Sequence, residues 1–259
     1  MARTECDDLG REVTLPDKVR RVVSLVPSLT EAIAAIDAGL LVAATDWCTH
    51  PADLDVERIR GTKNPDTRRI AQLRPDVVVV NKEENRELDV RRLEEVGVPV
   101  WVTVVEDVPS ALTSLDRLIT VALGQPEPQW LADAHTQLGG PTPEPETSAV
   151  VAIWRDPWMV VGSRTFATDL LARVGVRNVY ADHADRYPKQ ELAELRAADL
   201  VVLPNEPYVF TATDGPECFD ADRVRLVSGR VLTWYGPSLA TAVRTLRGQL
   251  GLTGSDGLA

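Results

Sequence analysis

Short apolar runs alternate with amphipathic stretches along the first hundred residues. Arg21–Pro27 (RVVSLVP), Leu41–Thr45, Val77–Asn81 (VVVVN) and Pro99–Val105 (PVWVTVV) are nearly continuously apolar, as strands buried on both faces are. Between them the pattern is helical. Ser28–Glu31 (SLTE) has the form of a capping box, opening a helix that ends at Gly39. Leu73–Asp76 (LRPD) closes a second helix, and a charged one runs from Glu84 to Val96 and stops at Gly97. Strands alternating with helices predict a parallel sheet covered on both faces.

A helix over Ser110–Leu123 follows, broken by Gly124, Pro126 and Pro128, with a short helix over Trp130–Leu138. Gly139–Thr147 (GGPTPEPET) is the sharpest change of composition and predicts a linker. The alternation then restarts. Ser148–Trp154 is a strand, Phe166–Val174 and Leu192–Ala198 are helices, and Leu200–Leu203 and Val231–Trp234 are strands. Ser238 is expected to cap a last helix ending near Leu250. The predicted fold is α/β: two Rossmann-like lobes with mainly parallel sheets, joined by a connecting helix, with a ligand cleft between them. The boundaries are 19–107 for the N-terminal lobe, 108–138 for the connecting helical segment, 139–147 for the linker and 148–252 for the C-terminal lobe.

The composition narrows the function. With 44% hydrophobic and 26% charged residues, the chain is an ordinary globular one. Its net charge of −11 argues against nucleic acid, because no basic stripe is present to neutralise phosphates. Cys6, Cys48 and Cys218 are odd in number and far apart, which predicts no disulfide framework. The charged start MARTECDDLGREVTLP lacks the apolar stretch of about 7–15 residues that a secretory signal needs, so the chain as written is expected in the cytoplasm. No apolar run reaches the roughly 18 residues of a membrane span.

In open α/β sheets, ligands bind outside the carboxyl ends of the strands. The segments placed there carry Trp47, Cys48 and His50; Lys82 and Glu83; Trp154, Arg155 and Trp158; Glu206 and Tyr208; and Trp234 and Tyr235. Four of the six tryptophans fall in these positions. A core does not need Trp at loop entrances, where the indole N–H wants a partner, so an aromatic cleft for a large, flat, partly apolar ligand is expected. Arg155 is placed to pair with an acidic substituent on it.

Cys48-x-His50 leaves three roles open. The pair can ligate a transition metal, with Glu83, Glu84 or Glu206 completing the set, or give an axial ligand to a chelated metal. It can equally be pocket wall, since Cys is often a small buried hydrophobe. A nucleophile and base is the third role. His135 is expected at the surface and His183 in a polar loop. No glycine-rich phosphate loop follows the first strand, so nucleotide binding is not expected.

RVVSLVPSLTEAIAA, GTKNPD…LRPDVVVV, VPVWVT and GSRTFATDLLARVG, in this order and spacing, resemble the cobalamin- and iron-chelate-binding proteins of ABC importers, the helical-backbone metal receptors. The resemblance runs from Val19 to Leu250. It implies two Rossmann-like lobes and a corrinoid, haem or other metal chelate, or a metal ion, held by aromatic side chains. It also implies one Glu per lobe that docks on Arg pairs of an ABC permease. Counting back eight residues from Asp199 gives Glu191, but from Asp76 gives Arg68. An Arg facing a permease Arg repels where Glu attracts, which puts the permease partner in doubt. The connecting helix is also short, and WCTHP and KEENR place reactive residues where the family relies on aromatic contacts. The expected function is thus a binding protein for a metal chelate. A cytoplasmic enzyme reusing the cleft through Cys48 and His50, and a metal-cofactor sensor or chaperone, are the alternatives.

Overall fold

The computed structural model describes residues 2–252. It opens with a hairpin that the apolar pattern does not announce. Strand β1 (Ala2–Cys6) pairs antiparallel with β2 (Glu12–Pro16), and alternate residues turn inward, burying Val13 and Leu15. Asp7 fixes the turn by accepting from the Leu9 and Arg11 N–H groups at 2.9 and 3.0 Å.

The chain forms two compact units. The first takes the chain up to Val105 together with Pro109–Asp133 and Tyr235–Pro237. Its five-stranded sheet is built from β3 (Val22–Ser24), β4 (Leu41–Ala44), β5 (Glu57–Arg58), β6 (Val77–Asn81) and β7 (Val100–Thr103) in the order β5-β4-β3-β6-β7. Every pairing is parallel. All five residues of β6 are buried, which is why that run carries no polar alternation. Helices α1 (Pro27–Asp37), α2 (Thr67–Leu73) and α3 (Glu87–Glu95) make the crossovers. Then come α4 (Val108–Asp116), a π-helical turn over Arg117–Ala122, and α5 (Gln129–Leu138).

The expected capping box is not formed. Pro27 takes the first helical position of α1, where its fixed φ suits the helix, so Ser28 lies inside the first turn, and the N-cap Val26 makes no side-chain cap. α2 is capped at both ends. Asp66 accepts from the Arg69 N–H, and Arg74 turns left-handed at its end with φ 48°.

The second unit takes Glu106–Val108, Ala134–Trp234 and the chain from Ser238 onward. Strands β8 (Thr147–Trp154), β10 (Val176–Asn178), β11 (Leu200–Pro204) and β12 (Val224–Val227) are parallel in the order β10-β8-β11-β12, and β9 (Met159–Val160) folds back antiparallel on β8. Helices α6 (Phe166–Arg173), α7 (Leu192–Leu195), α8 (Gly229–Thr233) and α9 (Ala242–Leu250) complete it. Two expectations are corrected here. The strand expected over Val231–Trp234 is α8, capped by Ser228, and the strand precedes it as β12. A short apolar run does not by itself separate strand from helix. Ser238 lies in a 3-10 turn over Pro237–Thr241 and does not cap α9, whose N-cap is Thr241.

The two sheets repeat one scheme. After β3 the chain moves to one side through β4, then to the other through β6 and β7. After β8 it does the same through β10, then β11 and β12. Strand order therefore reverses between β3 and β6, and between β8 and β11. Each reversal is pinned by an Asp at the entry of the inner strand. Asp76 accepts from the Arg20 and Arg21 N–H groups at 2.7 and 2.9 Å, and Asp199 accepts from the Ser148 N–H and hydroxyl. Ligands of such sheets sit at the carboxyl end of the reversal point, which fixes where each unit is to be searched.

Candidate functional site

On the first unit, the chain leaves β4 through a turn closed by the Cys48 N–H on the Thr45 carbonyl at 3.1 Å. The turn throws Trp47 out, 67% exposed, and draws Cys48 in completely. The Thr30 hydroxyl donates to Cys48 Sγ at 3.0 Å, and the Thr45 hydroxyl lies 3.1 Å from it. Burial pushes the Cys48 thiol up against these hydrogen bonds. A thiol so held is not offered as a thiolate nucleophile or metal ligand, and wall is the role its surroundings favour. His50 is half-buried with Nδ1 3.2 Å from the Thr49 hydroxyl. Among the described residues, Cys48 and His50 belong to no group of three converging metal-ligating side chains.

Past β6, Lys82 and Glu83 are exposed, and the Lys63 ammonium donates to the Glu83 carbonyl at 2.6 Å. The turn is shaped by asparagines. Asn81 Oδ1 accepts from the Glu83 N–H at 2.9 Å, and Asn85 Oδ1 from the Asn81 N–H at 2.9 Å. Glu84 is thereby turned inward at the reversal point, where the Tyr235 hydroxyl donates to its Oε1 at 3.0 Å. Burial raises Glu84 to about 7, with Glu83 adding to the rise and Tyr235 and Lys63 opposing it. Tyr235 is itself buried, and burial followed by the Glu84 charge raises its phenol. Tyr235 is thus a fastening of the first unit.

The second unit carries the larger aromatic group. Trp154 at the end of β8 is 45% exposed and meets Tyr208, past β11, edge to face with centroids 5.4 Å apart. The pair spans the reversal between β8 and β11. Behind it, Tyr208 tilts onto Phe210 at 4.6 Å, and Phe210 stacks on Trp158 at 5.9 Å.

Two of the expected ligand contacts have partners within the protein. Trp158 is core, because the β9 return carries it inward between Phe210 and Phe219. Arg155 is already engaged. Its Nη1 binds Asp214 Oδ1 and, at 2.7 Å, Glu217 Oε1, while its guanidinium lies 5.6 Å over the Trp158 ring. These partners, Glu217 foremost, hold its proton more tightly than usual. Glu206 and Trp234 are half-buried, the latter at the end of α8 rather than of a strand. The His50–Pro51, Asp156–Pro157 and Glu206–Pro207 bonds, all past strand ends, are cis. His183 is half-buried, its Nδ1 accepting from the Asp185 N–H at 3.0 Å, and His135 is half-buried on α5.

Sequence reasoning passed over Asp214 and Glu217. Both lie in a loop without periodicity, and only the fold brings them to Arg155. Glu84 stood in the right segment, but nothing in the sequence marked it as the inward-turning carboxylate.

The fold is α/β, two mainly parallel-sheet units with exposed tryptophans past their strand ends, Trp47 on the first and Trp154 on the second. No protein-family model matches the chain. The vitamin B12-binding protein of Vibrio campbellii is 22% identical over 206 residues, 75% of this chain and 70% of that protein. The periplasmic vitamin B12-binding protein of Vibrio cholerae matches in structure with TM-score 0.71 and 18% identity, over 90% of this chain and 97% of its own. A periplasmic heme-binding protein from Pseudomonas aeruginosa matches with TM-score 0.76 and 19% identity, over 91% and 94%. Both comparisons return the cobalamin- and iron-chelate-binding family that the sequence resembles, and the chain has its fold. Among the described residues, no helix is long and apolar enough to cross a membrane.

Proposed function

We propose that the chain binds a metal chelate, a corrinoid, a haem or a similar flat macrocycle, at its aromatic strand-end rims. The observation that carries this reading is Trp154. Its indole stands exposed at the reversal point of the second sheet, propped edge-on by Tyr208. An indole in that place stacks on a flat, partly apolar ligand and stabilises it by burial. Trp47 offers a second exposed indole on the first unit. The similarity to vitamin B12- and heme-binding proteins supports the same class of ligand.

A bare metal ion is the weaker reading, because Cys48 is sealed by Thr30 and Thr45. The same seal weighs against an enzyme built on Cys48. Docking on a permease is a separate matter. Arg68 stands exposed in the first turn of α2 and Glu191 exposed at the start of α7, one helix before the inner strand in each unit. The reading is therefore of a chelate binder whose importer docking is weakened on the Arg68 side. A sensor or a cofactor chaperone would use the same binding step.

The test is an absorption titration of the purified protein with cobalamin and with haem. A corrin or Soret band that shifts and saturates at one ligand per chain, and that weakens in Trp154→Ala, is the expected result. No shift with either chelate would overturn the reading.

A further inference from the structure

The chelate-binding reading leaves open which chelates are accepted, and the charges around Trp154 bear on that choice. Arg155 is the only cation in the two strand-end segments Trp154–Pro157 and Asn205–Tyr208. It is held on two sides. Asp214 and Glu217 take its guanidinium edge, and the Trp158 ring lies beneath it. Both carboxylates are themselves fixed: Tyr208 OH donates to Asp214 Oδ2 at 2.7 Å, and the Gly215 N–H donates to Glu217 Oε2 at 2.6 Å. Turning the guanidinium toward a ligand would break both of these charged hydrogen bonds.

The remaining charge is negative. Asp156, two positions after Trp154, has a side chain 87% exposed with Arg155 Nε only 3.7 Å away, so three carboxylates surround one cation. Tyr208, the ring that props Trp154, is tied to this acidic cluster through Asp214. A carboxylate hung on a macrocycle stacked against Trp154 therefore meets like charge with no cation released to it.

Resting on the chelate-binding reading, we propose that the Arg155–Asp214–Glu217 cluster is a specificity determinant that turns the Trp154 rim against carboxylate-bearing chelates and toward neutral or cationic ones. Two independent features join in it: an exposed aromatic platform and a cation already neutralised beside it. The discrimination is electrostatic and partly solvent-exposed, so it weakens as salt rises.

The experiment uses three probes on the full chain: haem, its dimethyl ester and cobinamide. Haem and its ester share one macrocycle and differ in two carboxylates. Cobinamide is a corrin without carboxylate or phosphate. The expected result is that the ester and cobinamide bind, with haem weaker than its ester by about tenfold at low salt and the gap narrowing in 0.5 M salt. The double substitution Asp214→Asn, Glu217→Gln releases Arg155 and should narrow or reverse the low-salt gap between haem and its ester. Haem binding as tightly as its ester in low salt would overturn the specificity and leave the chelate reading standing. Failure of all three to bind would overturn both. The salt comparison is made on the unmodified chain, so the specificity is decided even where the double variant does not fold.

Discussion

The Tyr235 hydroxyl donates to Oε1 of Glu84 across 151 positions of sequence, at 3.0 Å. The chain enters the first unit at Tyr235 and leaves it after Pro237, and this bond fastens that short strap at the reversal point between β3 and β6. Gly236 lets the strap lie flat, since a methyl there would stand 3.2 Å from the Ser28 carbonyl.

The burial of Glu84 at this fastening, opposed by the Tyr235 hydrogen bond, makes stability depend on pH. Glu84 titrates near 7 in the folded chain against an ordinary 4.5. A group whose folded value is raised stabilises the fold below its unfolded value and loses that contribution as pH rises through the folded one. Between about pH 4.5 and 7 the folded chain therefore holds a proton that the unfolded chain has lost, and stability falls across that window. Each tenfold difference in proton affinity is worth about 1.4 kcal/mol. Urea unfolding at pH 5 and pH 8 should show the unmodified chain weaker at pH 8, and Glu84→Gln should flatten the difference. An equal slope in Glu84→Gln would assign the effect elsewhere.

Cys48 should be silent to thiol reagents. In the folded chain exposed Cys6 is alkylated first, and Cys48 only after unfolding. Peptide mass mapping of a timed alkylation reads this directly. Cys48→Ala should lower stability by about 1–2 kcal/mol through lost packing and leave chelate titration curves unchanged.

Trp154 and Trp158 should part company, although they stand four residues apart. Trp158→Ala removes the centre of the aromatic core and should cost about 3–5 kcal/mol in chemical denaturation. Trp154→Ala should stay within about 1 kcal/mol of the unmodified chain while weakening chelate binding by roughly tenfold. Equal destabilisation by both would mean that Trp154 is core as well.

Gly229 opens α8 against the loop that follows β11. A methyl at Gly229 would lie 2.6 Å from the Glu206 nitrogen and Cβ, and its own N–H already donates to Asn205 Oδ1 at 2.7 Å. Gly229→Ala must therefore push the Asn205–Tyr208 segment aside. A loss of about 1–3 kcal/mol is expected, together with weaker chelate binding through displaced Tyr208, measured by thermal unfolding and absorption titration.

The parallel sheets were legible in sequence because a strand buried on both faces is apolar nearly throughout, as Val77–Val80 is. The same rule placed Trp47 and Trp154 past strand ends, and both stand exposed there. The β1–β2 hairpin escaped, since its inward residues alternate with charges and buffer no long apolar run. Val231 and Leu232 were misread because a five-residue helix and a short strand bury the same kind of residue. The resemblance to chelate-binding proteins was also carried by order and spacing alone.

What sequence could not decide is which way a loop side chain turns. Cys48 and Trp47 are neighbours, yet one is sealed by Thr30 and the other faces outward. Trp158 was drawn inward by the β9 return, and Arg155 was claimed by acids 59 and 62 positions away. Glu84 and Tyr235 meet only because the chain comes back to the first unit near its end. Periodicity reports burial averaged over an element and fixes the sheets. Pairing between distant loop residues is set by three-dimensional closure, which no local pattern contains.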